Sequence, residues 1–203
     1  MPESIQGQLD RLHARIRACR QCQEQGYLPQ AKPVFSGRLT DQVMVMGQAP
    51  GRRSVETGRL FGGPSGQKLD EWLTIAGFQK GSLWSKVYLT SLTKCDPGPS
   101  LRGSGDRKPS PQELALCRPF LEAELRIVHP KVVLLVGGMA FAAFMGPRPL
   151  EQAVGTWQER EGMFFLALPH SSGVSRWLND PAHQAMLRRA LEKLAEWRRT
   201  HSL

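Results

Sequence analysis

The chain has 203 residues, of which 40% are hydrophobic, so it can bury one substantial core and is expected to form a single domain over residues 1–203. Its net charge of +9 favours a polyanionic partner, with nucleic acid the first candidate; a basic surface that only aids solubility is the alternative. No apolar stretch approaches membrane-spanning length and the start of the chain is polar, so we expect a cytosolic protein without membrane contact.

The N-terminal segment predicts a helix that leads into a pair of cysteines. One helical face carries apolar residues at intervals of four, three and four positions: Ile5, Leu9, Leu12 and Ile16. The C-x-x-C pair Cys19 and Cys22 follows this helix. We expect the whole segment, residues 1–35, to pack on the rest of the domain.

Four continuous apolar runs predict strands that are covered on both faces: Val43–Met46, Val87–Leu92, Val132–Val136 and Phe164–Leu168. Helical patterns lie between and after them, at Gln67–Ile75, Pro111–Val128, Met139–Phe144 and in a final helix with Leu187, Leu191, Leu194 and Trp197 on its apolar face. The predicted fold class is α/β, a three-layer α/β/α sandwich with a small central parallel four-stranded sheet. Ligands of such sheets bind outside the carboxyl ends of the strands, so the residues after each strand are the informative ones.

The four cysteines are placed where one metal centre could collect them. Cys95 and Cys117 lie far from the N-terminal pair and do not form a second close pair, as a zinc ribbon would require. Four thiolates suit a four-iron four-sulfur (4Fe-4S) cluster or, alternatively, a tetrahedral zinc ion. In a reducing cytosol, cysteines are expected to be ligands before disulfides, and buried cysteines without a ligand are the remaining alternative.

A long loop rich in glycine, proline and serine is predicted from Pro97 to Pro111. It contains three basic residues, Arg102, Arg107 and Lys108. Because the loop lies between two candidate metal ligands, we expect it to be anchored at both ends and to rest against a phosphate backbone. A plain surface insertion is the alternative.

Short motifs occupy the loops after the predicted strands. They are Gly-Gln-Ala-Pro-Gly at 47–51, Thr-Gly-Arg-Leu-Phe at 57–61, Lys-Cys-Asp-Pro at 94–97 and Pro-His-Ser-Ser-Gly-Val-Ser-Arg at 169–176. A predicted helix carries Glu-Leu-Ala-Leu-Cys-Arg-Pro-Phe-Leu at 113–121. Together with the cysteines, these motifs resemble the uracil-DNA glycosylase superfamily, most closely its bacterial and archaeal iron–sulfur branches, families four and five. The resemblance covers nearly the whole chain, from about Cys19 to the last helix.

The resemblance implies an α/β/α sandwich that flips a damaged base out of DNA and hydrolyses its N-glycosidic bond. It implies a structural 4Fe-4S cluster with four ligands: Cys19, Cys22, Cys95 and Cys117. The implied partner is DNA that contains a damaged or deaminated base. We expect a monomeric repair enzyme in the bacterial cytosol or nucleoid.

The resemblance also implies a pocket for the flipped base. His170 would donate a hydrogen bond to the departing base, and Phe61 would stack on the base face. The other implied pocket residues are Gln48, the backbone of Ala49, Gly47, Ser54 and Ser91. Because bond cleavage leaves an anionic base, donors at the oxygen where charge grows accelerate the reaction. A structural histidine and a core phenylalanine are the alternatives for His170 and Phe61.

A second set of implied residues would contact DNA around the pocket. Val174 matches the position of an apolar wedge, and Arg176 would hold the adjacent phosphate. The complete implied set is Ser172, Val174, Arg176, Arg107 and Lys108.

The chain departs from the family pattern at several of these positions. Family four has Glu at Gln48, a second acidic residue at Ser54 and an Asn at Ser91, and relatives often have Pro at Ser171. A serine hydroxyl is shorter than an amide and can reverse its hydrogen-bonding role, so we expect weaker discrimination of uracil, or another target base. Ala49 stands where other uracil glycosylases have a water-activating Asp, so no general base is evident in the 47–51 motif.

The sequence therefore predicts a glycosylase that excises uracil or a related deaminated base, with His170 stabilising the leaving base. A catalytically weak or inactive DNA-damage-binding protein of the same fold is the first alternative. A zinc-stapled nucleic-acid-binding module without base excision is the second.

Overall fold

A five-stranded sheet lies at the centre of the computed structural model, which describes residues 3–100, 105–172 and 176–201. The strands are β1 (Val43–Gly47), β2 (Val87–Ser91), β3 (Val132–Val136), β4 (Trp157–Arg160) and β5 (Met163–Leu168). Their order across the sheet is β2-β1-β3-β5-β4. The pairs β1–β2, β1–β3 and β3–β5 are parallel, whereas β4 pairs antiparallel with β5.

The four predicted strands are confirmed, and β4 is the strand that the sequence analysis missed. Its residues, Trp-Gln-Glu-Arg, are partly or fully exposed at the sheet edge, so they do not form the continuous apolar run that identifies a buried strand. A tight turn joins β4 to β5, with φ of 52° at Glu161 and 75° at Gly162, as in a type I′ hairpin. The sheet is therefore mixed at one edge.

The helices lie between and around the strands. In chain order they are α1 (Ile5–Ala18), α2 (Gln21–Glu24), α3 (Arg52–Thr57), α4 (Pro64–Ile75), α5 (Ser82–Ser85), α6 (Pro111–Val128), α7 (Gly138–Met145), α8 (Leu150–Ala153) and α9 (Pro181–Thr200), with a 3-10 helix at Arg176–Asn179. In the described ranges, none of these helices combines the length and apolar character needed to cross a bilayer.

Helix α6 has its predicted bounds because its start is fixed by a capping box. The Ser110 hydroxyl accepts from the Glu113 N–H at 3.2 Å, and the Glu113 carboxylate accepts from the Ser110 N–H at 2.7 Å. Pro111 occupies the first turn, where its missing N–H has no consequence. By contrast, α4 begins at Pro64, ahead of the predicted Gln67.

Apolar clusters fill the spaces on both faces of the sheet and define three layers. Along β1, Val43 and Val45 belong to one cluster, while Met44 and Met46 belong to the other, as expected for alternating strand side chains. On one face the sheet packs against α4 and α9, through Leu69, Leu73, Leu187, Leu191 and Leu194. On the other face it packs against α6 and α7, through Leu121, Leu125, Ala140 and Phe141. The predicted α/β/α sandwich is confirmed.

Helix α1 lies outside these layers and packs against α6. A small apolar cluster joins them, formed by Leu12, Ile16 and Phe120. Because α1 ends at Ala18, this packing brings Cys19 to the side of α6 that carries Cys117.

Candidate active site and cysteine site

A cavity of about 640 Å³ opens at the carboxyl ends of β1, β3 and β5, and we call it the strand-end cavity. Its volume is in the usual range for small-ligand sites. Predicted site residues that line it are Gly47, Gln48, Ala49, Ser54, Phe61, His170 and Ser172. Lining residues that the sequence analysis overlooked include Arg52, Arg53, Asp96 and Asp106. The strand ends therefore bring together most of the residues predicted to bind a base.

His170 lies just after β5 and is held with a defined ring orientation. The backbone N–H of Ser172 donates to Nδ1 of His170 at 3.1 Å, so the neutral ring carries its proton on Nε2. Desolvation by the surrounding protein lowers the pKa of His170, which favours the neutral ring. Gly137 makes room for the ring, since a Cβ at this position would lie 3.0 Å from Cδ2 of His170. The neutral form of His170 with its proton on Nε2 is thus the favoured state in this structure.

Phe61 lies across the end of β1. Its ring atom Cζ is 3.1 Å from the position that a Cβ on Gly47 would take, so the glycine allows the ring to approach the strand backbone. The backbone of Phe61 has a φ of 57°, an uncommon value for a bulky residue. The side chain is half-buried, contacting the apolar cluster of α4 and α9 and also lining the strand-end cavity. An aromatic side chain therefore forms part of the cavity wall.

The 47–51 motif is attached to the segment after β2 by backbone hydrogen bonds. The N–H of Leu92 donates to the carbonyl of Gly47 at 3.0 Å, and that of Thr93 donates to the carbonyl of Gln48 at 3.4 Å. Gln48 and Ala49 are half-exposed at the cavity wall. Their position therefore depends on how the segment after β2 is held.

Ser91 and Ser54 occupy different environments from each other. Ser91, the last residue of β2, is fully buried, and its hydroxyl donates to the carbonyl of Thr93 at 2.7 Å. It is not among the residues that line the strand-end cavity. Ser54 lies in α3, is buried and lines the cavity, with its N–H donating to the Gly51 carbonyl at 2.8 Å. Ser54 therefore belongs to the cavity wall, whereas the Ser91 hydroxyl is bonded to the loop that follows β2 and does not line the cavity.

The residues predicted to contact DNA lie in different environments. Arg107 makes a bidentate ion pair with Glu113, with its Nη1 at 2.6 Å from Oε2 and its Nη2 at 2.8 Å from Oε1. Burial opposes ionisation of Glu113, but hydrogen bonds from Arg107 and Ser110 lower its pKa overall. Lys108 and Arg176 are exposed. Val174 and Arg102 lie outside the described residues.

The predicted irregular loop from Pro97 to Pro111 contains a local pairing. Pro99 and Asp106 form an antiparallel bridge, and the N–H of Arg107 donates to the carbonyl of Gly98 at 2.9 Å. This return of the chain places Asp106 in the strand-end cavity and Arg107 beside α6. No apolar period accompanies the bridge, so the sequence carried no signal for it.

The four cysteines line one small, mostly apolar cavity, which we call the cysteine cavity. Ile16, Leu28 and Phe120 are among the apolar residues of its wall. Burial, with a smaller contribution from the nearby thiols, raises the pKa of Cys22 to about 11 and that of Cys95 to about 12. All four cysteines are free of disulfides. Among the described residues, no group of three or more His, Cys, Asp or Glu side chains is arranged to hold a metal ion.

The donor set of the cysteine cavity fits an iron–sulfur cluster chemically. Cys19, Cys22, Cys95 and Cys117 supply four sulfur ligands, which is the usual number for such a cluster. The backbone N–H of Lys94 donates to Sγ of Cys117 at 3.4 Å, a type of contact that tunes sulfur ligands. Cys22 and Cys117 are buried, whereas Cys19 and Cys95 are half-buried.

A buried polar network connects the cysteine cavity to β2 and α1. Lys94 is 2% exposed, and its Nζ lies 2.8 Å from each of Thr90 Oγ1, the Ser91 carbonyl and Glu124 Oε2. Glu124 also accepts from the hydroxyl of Tyr88 at 3.2 Å, and that hydroxyl lies 2.8 Å from Nε2 of His13. All donors of the Lys94 ammonium are satisfied, which is the condition for burying such a charge.

These features define a class of protein, a three-layer α/β/α fold with a ligand cavity at the strand ends and a four-cysteine site beside it. A family model described as Uracil DNA glycosylase superfamily matches residues 35–195. The chain belongs to this superfamily, and the resemblance seen in its motifs is confirmed.

Three curated relatives illustrate the similarity. A Type-4 uracil-DNA glycosylase of Pyrobaculum aerophilum is 32% identical over 137 residues, 68% of this chain and 64% of the relative. A Type-4 uracil-DNA glycosylase of Thermotoga maritima is 32% identical over 112 residues, 55% of this chain and 53% of the relative. A Type-5 uracil-DNA glycosylase of Pyrobaculum aerophilum is 32% identical over 120 residues, 54% of this chain and 50% of the relative. The chain thus matches between half and two thirds of the length of these relatives.

Proposed function

We propose that the protein is a DNA glycosylase that flips out uracil or a related deaminated base and hydrolyses its N-glycosidic bond. The observation that carries the proposal is the state of His170, a neutral ring in the strand-end cavity with Nδ1 engaged by Ser172 and Nε2–H available as a donor. Membership of the superfamily and the names of the relatives support it.

The proposed reaction uses two sides of the strand-end cavity. The flipped base stacks on Phe61, which replaces the stacking that the base loses in the duplex. Gln48 and the backbone N–H of Ala49 donate toward its oxygens. When the bond between C1′ and the base nitrogen breaks, its electron pair stays with the base, and Nε2–H of His170 stabilises the resulting anion. One such donor typically contributes about 10²–10³ in rate.

The cysteine cavity would hold a 4Fe-4S cluster, whose contribution when bound is to crosslink α1, the loop after β2 and α6. This assignment rests on four soft ligands in one apolar cavity and on the Type-4 relatives. Zinc is the alternative. Iron and sulfide analysis of protein purified without air distinguishes the two, because only the cluster contains both elements. Colour gives a second distinction, since a cluster is brown and a zinc protein is colourless.

DNA would lie across the mouth of the strand-end cavity. Arg52 and Arg53 of α3 line this mouth with side chains that are 82% and 71% exposed. Arg176 and Lys108 are also exposed. These cations can neutralise phosphates, and we infer a monomeric repair enzyme that meets DNA in the cytosol.

The test is an excision assay on single- and double-stranded oligonucleotides that carry uracil, hypoxanthine, xanthine or ethenocytosine. After incubation, alkali converts every abasic site to a strand break. We expect breaks at uracil, with weaker discrimination among bases than an asparagine at position 91 would give. Absence of product from every substrate contradicts the proposal.

A second candidate function, recognition of damaged DNA without excision, is favoured by one observation. The Ser91 hydroxyl is bonded to the Thr93 carbonyl and does not line the cavity, and Ala49 provides no acid to activate water. Preferential binding of uracil-containing DNA in the same panel, without any product, identifies this function.

A further inference from the structure

Two carboxylates reach the strand-end cavity from the segment between β2 and α6. Asp96 comes directly after the cysteine ligand Cys95, and Asp106 comes from the return of the loop that pairs with Pro99. The two differ in their hydrogen bonding. Oδ1 of Asp96 accepts from the N–H of Gly98 at 2.8 Å, so this oxygen is bonded within its own turn.

Asp106 lies directly over the 47–51 motif. Its Oδ2 is 2.6 Å from the position that a Cβ on Gly51 would occupy, so the carboxylate lies against the backbone of this glycine. Gly51 is the residue before α3 and lies a few positions after Gln48 and Ala49. The side chain of Asp106 is exposed to the cavity. A carboxylate from another loop thus stands beside the motif that lacks its own acid.

We propose that Asp106 is the general base of the reaction, taking a proton from the water that attacks C1′. This inference rests on the proposed function. The water oxygen bonds to C1′ as the bond to the base nitrogen breaks, and the electron pair of the broken bond leaves with the base. The proton lost by the water passes to the Asp106 carboxylate and then to solvent, and the free base takes up a proton after release. The products are the free base and an abasic sugar with a 1′-hydroxyl.

The surroundings of Asp106 suit this role. Burial raises the pKa of Asp106, the charge of Asp96 raises it further, and the guanidinium of Arg52 opposes both. A base is most effective when its pKa is closer to the working pH than that of a solvated aspartate. The other charged or titratable groups that line the cavity are Arg53 and His170. Asp106 therefore combines a position over the motif with a carboxylate of increased basicity.

The first experiment is Asp106→Asn, measured by single-turnover excision with enzyme in saturating excess. We expect excision to slow by about 10²–10⁴, the usual contribution of a positioned base, while binding of the lesion is retained. The thermal midpoint and iron content of the variant are measured in parallel. A variant that is folded and excises at the unmodified rate overturns the inference and leaves the proposed function standing. Absence of excision by the unmodified protein overturns both.

The second experiment is the pH profile of the same single-turnover rate. The carboxylate must be ionised to accept a proton, so the rate of the unmodified protein falls as pH falls through the pKa of Asp106. Removing the opposing cation in Arg52→Met raises that pKa, so the acid limb moves to higher pH. Arg118→Met is the control, since Arg118 is an exposed arginine of α6 that does not line the cavity, and its acid limb stays in place. An Arg52→Met profile that overlays the control contradicts Asp106 as the base, whatever the stability of Asp106→Asn.

Discussion

His170 illustrates how single residues define the chemistry of the strand-end cavity. A backbone N–H occupies Nδ1, and desolvation lowers the pKa of the ring, so one neutral tautomer is selected before any ligand binds. Ser91 is the contrasting case, because a short hydroxyl reaches its own loop carbonyl and does not extend toward a base.

We expect His170→Ala to fold, retain its iron and bind uracil-containing DNA, yet to excise uracil at least about a hundredfold more slowly. The reason is that the substitution removes a donor to the developing anion and no core contact, since His170 faces the cavity. Single-turnover rates and equilibrium binding to the same oligonucleotide separate the two effects. Near-normal excision by this variant would move the donor to another residue of the cavity.

The residues of the cavity differ in how far they could be predicted from sequence. His170, Gln48 and Phe61 lie after predicted strands within recognisable motifs, and all three line the cavity. Asp106 could not be predicted, because it reaches the cavity through a loop pairing with Pro99 that leaves no periodic pattern. Short-range patterns identify the residues at the end of a strand, but they do not report where a long loop returns.

At the level of secondary-structure elements, the buried strands and the bounds of α6 were predicted well, whereas the exposed edge strand was not predicted. Four strands and the bounds of α6 agree with the apolar runs and the capping box. The edge strand β4 has no such run. Arg107 was expected on an exposed basic loop against a phosphate backbone, yet its guanidinium pairs with the buried capping carboxylate of Glu113 at the start of α6.

The junction of α1 with β2 should make stability depend on pH through His13. Desolvation is the main reason why the pKa of His13 is lowered in the folded protein. Below about pH 6.5 the unfolded chain therefore binds more protons at this site, and the free energy of unfolding falls as pH decreases. We expect His13→Gln to reduce the steepness of that fall. Urea unfolding at a series of pH values between neutral and mildly acidic gives the two slopes, and equal slopes would refute the assignment.

The cysteine cavity joins three elements, so loss of one ligand should lower the stability of the whole protein. We expect Cys117→Ala to lose both iron and soluble protein, because ligand binding energy is folding energy in such sites. Iron per chain and the thermal midpoint are the measurements. Cys117→Ala with full iron content and an unchanged midpoint would contradict the cluster assignment.

At the scale of the whole molecule, the net charge of +9 should govern affinity for DNA. The logarithm of the binding constant for duplex DNA is expected to fall linearly with the logarithm of salt, by about 0.9 for each phosphate neutralised. Arg176→Ala should reduce this slope by about one. Arg118→Ala is the control, because Arg118 is exposed on α6, pairs with Glu122 and does not line the strand-end cavity. Affinity that is flat with salt would argue against a DNA ligand.

Three successive peptide N–H groups after β2 connect the two cavities. Those of Leu92 and Thr93 hold the carbonyls of Gly47 and Gln48, and that of Lys94 reaches Sγ of Cys117. The strand-end cavity and the cysteine cavity are therefore joined by one continuous run of backbone donors. Loss of the Cys117 sulfur would remove a contact of Lys94, whose neighbour Thr93 holds the Gln48 carbonyl, so we expect damage at the cysteine site to disturb the wall of the strand-end cavity.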